Sequence, residues 1–159
     1  MFLVRNIFSA VVVFISVQVA SAQTSFDPLP YVNPFIGTSN YGATNPGAIA
    51  PRGIASVSPF NVAGKIDLNP LEKDSQWLSN PYVHENQFLT GFSHVNMSGV
   101  GCPELGVIIT MPTTGELKTN HVDYGTTYSE ETAEAGYYSA KLDKYNVKAE
   151  ATASTRAGV

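Results

Sequence analysis

Four polar side chains of different chemistry lie close together in one glycine-rich segment. The backbone of this segment is Ser98-Gly-Val-Gly101, and the side chains beside it belong to His94, Asn96, Cys102 and Glu104. Because glycine has no Cβ, Gly99 and Gly101 let the backbone approach a ligand closely. A loop of this kind can present hydrogen-bond donors and acceptors to the hydroxyl groups of a sugar. The alternative interpretation is a tight crossing between strands, in which the glycines serve packing alone.

Each candidate residue also has an ordinary structural interpretation. His94 follows a predicted strand and could be a hydrogen-bonded core histidine, and Trp77 could be either a sugar-stacking platform or a core anchor. Cys102 could act as a nucleophile only beside a general base, so a buried, inert thiol is the simpler interpretation. A glycosidase needs two carboxylates across the scissile bond, and the sequence does not identify such a pair. We interpret the acidic residues of the later chain, Glu130, Glu131 and Glu134, as a solvated loop face.

The elements that must position these residues are short strands. The runs bounded by Gly and Pro predict strands at 54–58, 87–90 and 106–111. Residues 138–142 and 147–154 alternate apolar and polar side chains, which predicts two half-buried strands joined as a hairpin by Asp143–Asn146. A long stretch with helical periodicity is missing. The sequence therefore predicts an all-β fold, an antiparallel β-sandwich.

Three long segments are too rich in glycine and proline to be simple connections. They cover residues 33–53, about 62–86, which includes Trp77, and 91–106. Long loops without secondary structure are usually functional or disordered. Because these three contain apolar and aromatic residues, ordered functional loops are the better prediction.

The first 22 residues have the three parts of a secretory signal peptide. Arg5 is the only charged side chain before Asp27, residues 7–19 are nearly all apolar, and Ala20-Ser-Ala22 has small residues at the −3 and −1 positions. We expect cleavage after Ala22, which leaves a mature domain of residues 23–159. The protein is then exported to the periplasm or the extracellular space, and it meets the membrane only during export. An uncleaved N-terminal anchor is the alternative.

The composition bears on the expected partners and metals, and the end of the chain bears on the extent of the domain. The formal net charge is −4 and no basic patch is visible, so nucleic acid is not an expected partner. One cysteine and three histidines do not make a recognisable zinc site. Ala157-Gly158 is typical of a hairpin turn, yet the sequence ends one residue later. Since a hairpin without its return strand leaves an unpaired edge, we expect the domain to be truncated there.

Taken together, several stretches resemble the N-terminal domain of the family 92 glycoside hydrolases, the calcium-dependent α-mannosidases. They are Tyr31-Val-Asn-Pro-Phe-Ile-Gly-Thr38, Asn45-Pro-Gly-Ala48 with Pro51-Arg-Gly53, Gly91-Phe-Ser-His94, Ser98-Gly-Val-Gly-Cys-Pro-Glu-Leu-Gly106, Met111-Pro-Thr-Thr-Gly115 and Ala135-Gly-Tyr-Tyr-Ser139. Their order and spacing fit, and they cover nearly the whole mature chain. Asn96 stands where many members have a second histidine, Glu104 where many have Asp, and Phe60 where Asp is common; these departures indicate a subgroup.

The resemblance implies a two-domain enzyme that hydrolyses α-mannosides with inversion. This chain would be its β-sandwich of the supersandwich, galactose-mutarotase-like type, and an (α/α)₆ domain would follow. The resemblance places the general acid, the general base and most calcium ligands in that second domain, so no catalytic residue is expected here. The expected partners are α-mannoside glycans and the (α/α)₆ domain. The expected substrate-facing residues of this chain are Trp77, His94, Gly99, Gly101, Cys102 and Glu104.

Two other classes of function remain as alternatives. A stand-alone, lectin-like carbohydrate-binding module would explain the polar loops, although such a module should close its own sheet. A purely structural or adhesive exported domain is the third option. Long ordered loops with polar side chains argue against it, because they bring no benefit to a structural sandwich.

Overall fold

The computed structural model describes residues 26–40, 42–64, 67–69, 80–97, 99 and 108–159. The chain divides into two compact units, residues 1–31 and 32–159. The described part of the first unit is a short 3₁₀ turn, Leu29–Tyr31. The Asp27 carboxylate accepts a hydrogen bond from the Leu29 amide at 3.1 Å, and the Phe26 ring stacks on Tyr31 with the ring centroids 5.6 Å apart.

The second unit is built from two four-stranded antiparallel sheets, which confirms the predicted sandwich. Sheet one has the order β1-β2-β4-β5 and sheet two the order β3-β6-β7-β8. The strands are β1 (Ala48–Ile49), β2 (Ser56–Phe60), β3 (Phe88–Leu89), β4 (Gly91–Ser93), β5 (Ile109–Thr110), β6 (Thr126–Glu134), β7 (Tyr137–Leu142) and β8 (Val147–Thr152). A four-residue helix, α1 (His121–Tyr124), precedes β6, and the Asn120 side chain caps it by accepting from the Val122 amide.

The core lies between the two sheets and depends on alternating residues of β7 and β8. Tyr138, Ala140 and Leu142 are fully buried, and Ala149 and Ala151 face the same cluster from β8. Val57 and Phe92 of sheet one close the other side, while Leu89 contributes from β3. Burial of a side chain such as Leu142 stabilises the fold by about 1.5–3 kcal/mol.

The predicted hairpin of β7 and β8 is confirmed. Leu142 pairs with Val147 and Tyr137 with Thr152, so Asp143–Asn146 forms the connecting turn. Asn146 adopts a φ of 50°, a left-handed conformation that asparagine tolerates better than most residues.

The first predicted strand is displaced along the sequence. It was expected at 54–58, but β2 spans Ser56–Phe60 and includes Pro59. Proline is tolerated where a strand lacks a neighbour on its amide side. Here β1 pairs only with Ser56 and Val57, whereas Pro59 pairs with Phe92 of β4 alone. The missing N–H of Pro59 therefore leaves the ladder intact.

The chain reverses direction after β8, but the turn lies before Gly158 and therefore earlier than the Ala157-Gly158 pattern predicts. Ala153 and Gly158 form an antiparallel bridge, and the amides and carbonyls of Thr152 and Val159 exchange two hydrogen bonds of 2.9 Å. The Ser154 hydroxyl accepts from the Ala157 amide at 3.1 Å and closes the turn.

Buried asparagines order the irregular chain between β2 and β3. The Asn61 amide group donates to the Val83 carbonyl at 2.8 Å, and its oxygen accepts from the Val83 amide at 2.8 Å. Asn69 contacts Phe88 in the same two-way manner, with distances of 3.2 and 2.9 Å. These side chains replace the ladder bonds that a strand would supply. Among the residues described, no helix is long and apolar enough to cross a membrane.

Candidate functional site

His94 begins the loop that follows β4, where its backbone joins two neighbouring segments. Its amide donates to the Ile108 carbonyl at 3.0 Å, and its carbonyl accepts from the Ser56 amide at 3.2 Å. The ring Nδ1 lies 3.2 Å from the same Ile108 carbonyl. Because a carbonyl only accepts, Nδ1 carries the proton, and Nε2 of the neutral ring is the acceptor. The half-buried His94 therefore uses one nitrogen for structure and keeps the other for a further contact.

Gly99 connects this loop to the first glycine- and proline-rich segment. Its amide donates to the Ala43 carbonyl at 2.6 Å, and its φ of 110° suits glycine alone. Among the residues that the structure describes, no atom lies within 4 Å of a Cβ built at this position. Within the described chain, the glycine is therefore required by conformation rather than by crowding.

Asn96 serves the fold rather than a ligand. Its amide group donates to the Ser56 carbonyl, the Ser56 hydroxyl and the Ser93 carbonyl at 3.0–3.2 Å. Its oxygen accepts from the Ser93 hydroxyl at 2.7 Å. Both polar ends of the side chain are thereby occupied within the chain, and Asn96 holds the loop against the start of β2.

The other four predicted site residues lie outside the described residues. They are Trp77, Gly101, Cys102 and Glu104. Their role in contacting substrate stays a prediction. Within the described chain, His94 and Gly99 belong to one loop, and Gly99 brings the first and third long segments together.

A cavity of about 480 Å³ opens between β8 and sheet one, with His94 among its lining residues. Val57, Phe92 and Met111 give it apolar walls, together with the alternating residues Val147, Ala149 and Ala151 of β8. Two charged residues of β8 also line it, Lys148 and Glu150, whose side chains are 2.8 Å apart. Hydrogen bonds from Lys148 and then Tyr137 hold the pKa of the Glu150 carboxyl below its usual value.

A second polar cluster was missed by the sequence analysis. Glu131 was interpreted as part of a solvated loop face, and this is wrong, because its carboxylate accepts hydrogen bonds from two buried tyrosines. The Tyr138 hydroxyl donates to Oε1 at 2.6 Å, and the Tyr82 hydroxyl donates to Oε2 at 2.9 Å. Burial raises the pKa of Glu131, although these hydrogen bonds and the charge of His84 oppose the shift. The segment Thr126-Thr-Tyr-Ser-Glu-Glu-Thr-Ala-Glu134 has no clear apolar alternation, so it contains no local signal of the β-bulge.

The described residues do not form a calcium site. None of them group three or more His, Cys, Asp or Glu side chains in a way that could hold a metal ion. Two buried acceptor oxygens, Asn80 Oδ1 and Glu85 Oε2, have no hydrogen-bond donor among the residues that the structure describes. Oxygen is the ligand type that calcium prefers, but calcium takes six to eight such ligands. Two oxygens do not make that set, so no step of chemistry is assigned to a metal here.

The two sheets define the class of protein by fold, an antiparallel β-sandwich domain. The glycosyl hydrolase family 92 N-terminal domain matches residues 31–159. A family GH92 α-mannosidase of Bacteroides thetaiotaomicron, solved alone and in complex with mannoimidazole, is 37% identical, with a TM-score of 0.67. That match covers 82% of this chain and 17% of the other. The chain therefore belongs to glycoside hydrolase family 92.

Two further solved structures agree with this assignment. The GH92 family glycosyl hydrolase ccman5 is 27% identical, with a TM-score of 0.65, and the match covers 83% of this chain and 18% of that one. A GH92 inverting mannosidase of Bacteroides thetaiotaomicron is 22% identical, with a TM-score of 0.59 and coverages of 86% and 18%, and supports the fold alone. Among curated proteins, none matches the chain significantly. The chain spans 17–18% of the length of these solved relatives.

Proposed function

We propose that this chain is the N-terminal β-domain of a longer, exported α-mannosidase, and that it forms part of the sugar-binding wall without supplying the catalytic pair. The observation that carries the proposal is the 37% identity, over 82% of the chain, with an α-mannosidase whose structure contains mannoimidazole. The expected substrates are α-mannoside glycans, cleaved with inversion. The catalytic acid, the catalytic base and the calcium ligands would belong to an (α/α)₆ domain that follows.

Two described residues support a sugar-facing role for the loop after β4. At Gly99, no described atom lies within 4 Å of a Cβ built on the backbone, and His94 has a ring nitrogen that can accept from a hydroxyl group. A mannoside offers several hydroxyl donors, and acceptors that a protein holds in fixed positions bind such groups with little ordering cost. We extend the same role to Trp77, Gly101, Cys102 and Glu104 as sequence-based predictions.

The first experiment compares this chain with the longer enzyme. Purified residues 23–159 should not hydrolyse an aryl α-mannoside, with or without calcium, because inversion needs two carboxyl groups held about 6.5–9.5 Å apart. The longer enzyme should turn over the same substrate in a calcium-dependent manner. Reproducible turnover by the short chain would show that residues 23–159 supply a catalytic pair, which contradicts the proposal. Tight binding of mannosides by the short chain alone would instead support the lectin-like alternative.

A second experiment tests the loop itself in the longer enzyme. Glu104→Gln keeps the size of the side chain but removes charge-assisted hydrogen bonds, which are about twice as strong as neutral ones. We expect kcat/KM to fall at least about tenfold, which corresponds to about 1.4 kcal/mol, while the melting temperature changes little. If kcat/KM is unchanged and the melting temperature falls, Glu104 serves the loop backbone instead.

Export is tested separately. The Ala20-Ser-Ala22 pattern leads us to propose that the mature protein begins at Gln23 and resides in the periplasm or outside the cell. N-terminal sequencing or the intact mass of the exported protein decides this point. Retention of residues 1–22 would favour a membrane anchor.

A further inference from the structure

A β-bulge in β6 turns one glutamate toward the interior of the domain. Ser129 pairs with Lys141 and Thr132 with Ser139, so two residues of β6, Glu130 and Glu131, stand opposite one residue of β7. Glu130 has a φ of 50°, an uncommon conformation for a residue other than glycine. Its side chain is exposed, whereas Glu131 is half-buried. A bulge of this type commonly changes the direction of a side chain and is often found beside functional sites.

The Glu131 carboxylate joins sheet two to the segment that precedes β3. It accepts one hydrogen bond from the Tyr138 hydroxyl of β7 and another from the Tyr82 hydroxyl of the segment Asn80–Asn86. Both tyrosines are fully buried. The Tyr82 hydroxyl also lies 3.1 Å from Nδ1 of His84, whose side chain is exposed. A continuous line of hydrogen bonds thus leads from solvent through His84 and Tyr82 to Glu131.

The protonation state of Glu131 determines the direction of the hydrogen bonds that Tyr82 and His84 make. When Glu131 is ionised, Tyr82 donates to it, and the contact with His84 then requires a proton on Nδ1 of the imidazole. When Glu131 is protonated, it can donate to the Tyr82 oxygen, and Tyr82 can then donate to His84. Either arrangement keeps the chain of hydrogen bonds, but only the first contains a negative charge at the half-buried Glu131.

The groups that face Glu131 cannot fully compensate this charge. The titratable groups around it are Tyr138 from β7, Tyr82 and His84 from the segment Asn80–Asn86, and Tyr128 from β6 itself. The Tyr128 hydroxyl is engaged with the Asn86 carbonyl at 2.7 Å and with the Asn61 amide group at 2.9 Å. The Glu85 carboxylate accepts from the Asn40 amide, and Glu130 faces Lys141 on the exposed side. The described lysines and arginines therefore offer Glu131 no salt bridge.

We propose that Glu131, Tyr82 and His84 form a pH-sensitive latch, which fastens the segment Asn80–Asn86 to sheet two in mild acid and loosens as the pH rises. Ionisation leaves a charge in a poorly hydrated site, and opening of the segment admits water to it. The segment has few regular ladder bonds, so its attachment depends on side chains such as Asn61 and Tyr82. Local openings of this kind can occur without unfolding of the whole domain.

The direction follows from linkage. Burial raises the pKa of Glu131 in the folded protein above its unfolded value, so the folded state binds the proton more tightly. The resulting stabilisation is fully present below the unfolded pKa and is lost as the pH rises through the folded pKa. A carboxylate in a salt bridge would show the opposite direction, so the sign alone separates the two cases.

The latch can be tested by two measurements on the wild-type protein. Carbon-13 NMR of the Glu131 carboxyl should give a titration midpoint above the range of a glutamate in an unfolded chain. Hydrogen exchange should show that the Val83, His84 and Asn86 amides lose protection, relative to β7 and β8 amides, by about threefold or more between pH 5 and pH 8. These three amides bond to Asn61 Oδ1, the Thr38 carbonyl and the Val83 carbonyl.

Variants then assign the effect to the latch. Glu131→Gln cannot ionise, so the protection of the three amides should no longer depend on pH after correction for the intrinsic exchange rate. Glu134→Gln, an exposed glutamate of the same strand, should behave as wild type. If Glu131→Gln does not fold, Tyr82→Phe replaces it and should lower the protection of the segment at both pH values. A Glu131 midpoint within the unfolded range, or an unchanged pH profile in Glu131→Gln, would overturn the proposal.

Discussion

Gly158 passes so close to His94 that a Cβ at position 158 would lie 2.7 Å from Cδ2 of the imidazole ring. The same atom would lie 2.3 Å from Cγ2 of Val57 in the core. Real Cβ atoms do not approach other atoms this closely, so any larger residue must displace one neighbour. The turn after β8 therefore holds the candidate site residue in place from the side opposite Ile108.

The first prediction follows from this contact. Gly158→Ala should destabilise the domain by about 1–3 kcal/mol, because the added methyl group overpacks the space between Val57 and His94. Thermal or urea unfolding measures this loss, and Ala157→Ser at the exposed neighbouring position is the matched control. If Gly158→Ala unfolds like the control, the turn is looser than the structure indicates.

Regular strands with strict alternation were predictable from the sequence. Residues 147–152 place Val147, Ala149 and Ala151 on one face, and the structure buries two of these three against Tyr138 and its neighbours. The period-two pattern contains this information directly, since it marks which face meets the core. The hairpin turn at Asp143–Asn146 was predictable for the same reason.

The inward-facing polar side chains depend on features that have no local pattern. Asn61 contacts Val83 and Asn86, which are more than twenty positions away. Glu131 faces inward only because a bulge shifts the register between Ser129 and Thr132. Such positions are decided by tertiary contacts, so composition could suggest a solvated glutamate but could not reveal its two tyrosine partners. For the same reason, the sequence analysis ended the first strand too early, before Pro59. Only the sheet shows that Pro59 pairs with β4 and has no described partner strand on its other side.

The second prediction concerns the buried asparagine before β3. Asn61→Ala should lower the free energy of unfolding by about 2–4 kcal/mol, because the Val83 amide and carbonyl lose their partner together. Gln87→Ala removes an exposed amide side chain nearby and should change stability by less than about 0.5 kcal/mol. Chemical denaturation of both variants provides the comparison. Equal stabilities would show that water replaces the Asn61 contacts without cost.

The third prediction separates conformation from crowding at Gly99. Gly99→Ala should cost about 1–3 kcal/mol, because a φ of 110° is strained for alanine although no described atom lies within 4 Å of the added Cβ. Gly115→Ala, with a φ of 83° and likewise no described atom within 4 Å, is the matched control and should have a similar cost. In the longer enzyme, we expect only Gly99→Ala to reduce kcat/KM. Equal activity of the two variants would remove Gly99 from the sugar wall.

The fourth prediction is a pH-dependent effect at Tyr138. Its hydroxyl donates to Glu131, and this hydrogen bond lowers the pKa of the carboxyl against the larger effect of burial. Tyr138→Phe should therefore raise the Glu131 pKa further, and it should destabilise the domain more at pH 8 than at pH 5. At pH 8 we expect a loss of about 1–3 kcal/mol.

Tyr137→Phe is the control for this experiment. The Tyr137 hydroxyl donates to Glu150, an exposed carboxylate, so its loss should change stability by less than about 0.5 kcal/mol at either pH. Unfolding curves of both variants at the two pH values test the prediction. A loss in Tyr138→Phe that does not depend on pH would assign the Tyr138 hydroxyl a role in packing alone.

The last prediction asks which nitrogen of His94 serves the fold and which serves the substrate. Nδ1 donates to the Ile108 carbonyl, while Nε2 remains an acceptor. Asparagine places its amide nitrogen near the position of Nδ1, whereas glutamine reaches toward the position of Nε2. His94→Asn can therefore keep the bond to Ile108 and lose the second acceptor, and His94→Gln should do the reverse.

In the longer enzyme the two variants should separate stability from activity. His94→Asn should retain the melting temperature and lose kcat/KM by about tenfold or more, since a hydrogen bond to substrate contributes about 1–1.5 kcal/mol. His94→Gln should lose about 0.5–1.5 kcal/mol of stability, because the Ile108 carbonyl loses its side-chain donor, while it keeps more of the activity. Because both variants change the same position, the rest of the loop is identical in the comparison. The reverse outcome, with activity kept in His94→Asn and stability kept in His94→Gln, would assign Nε2 to the fold and remove His94 from the substrate wall.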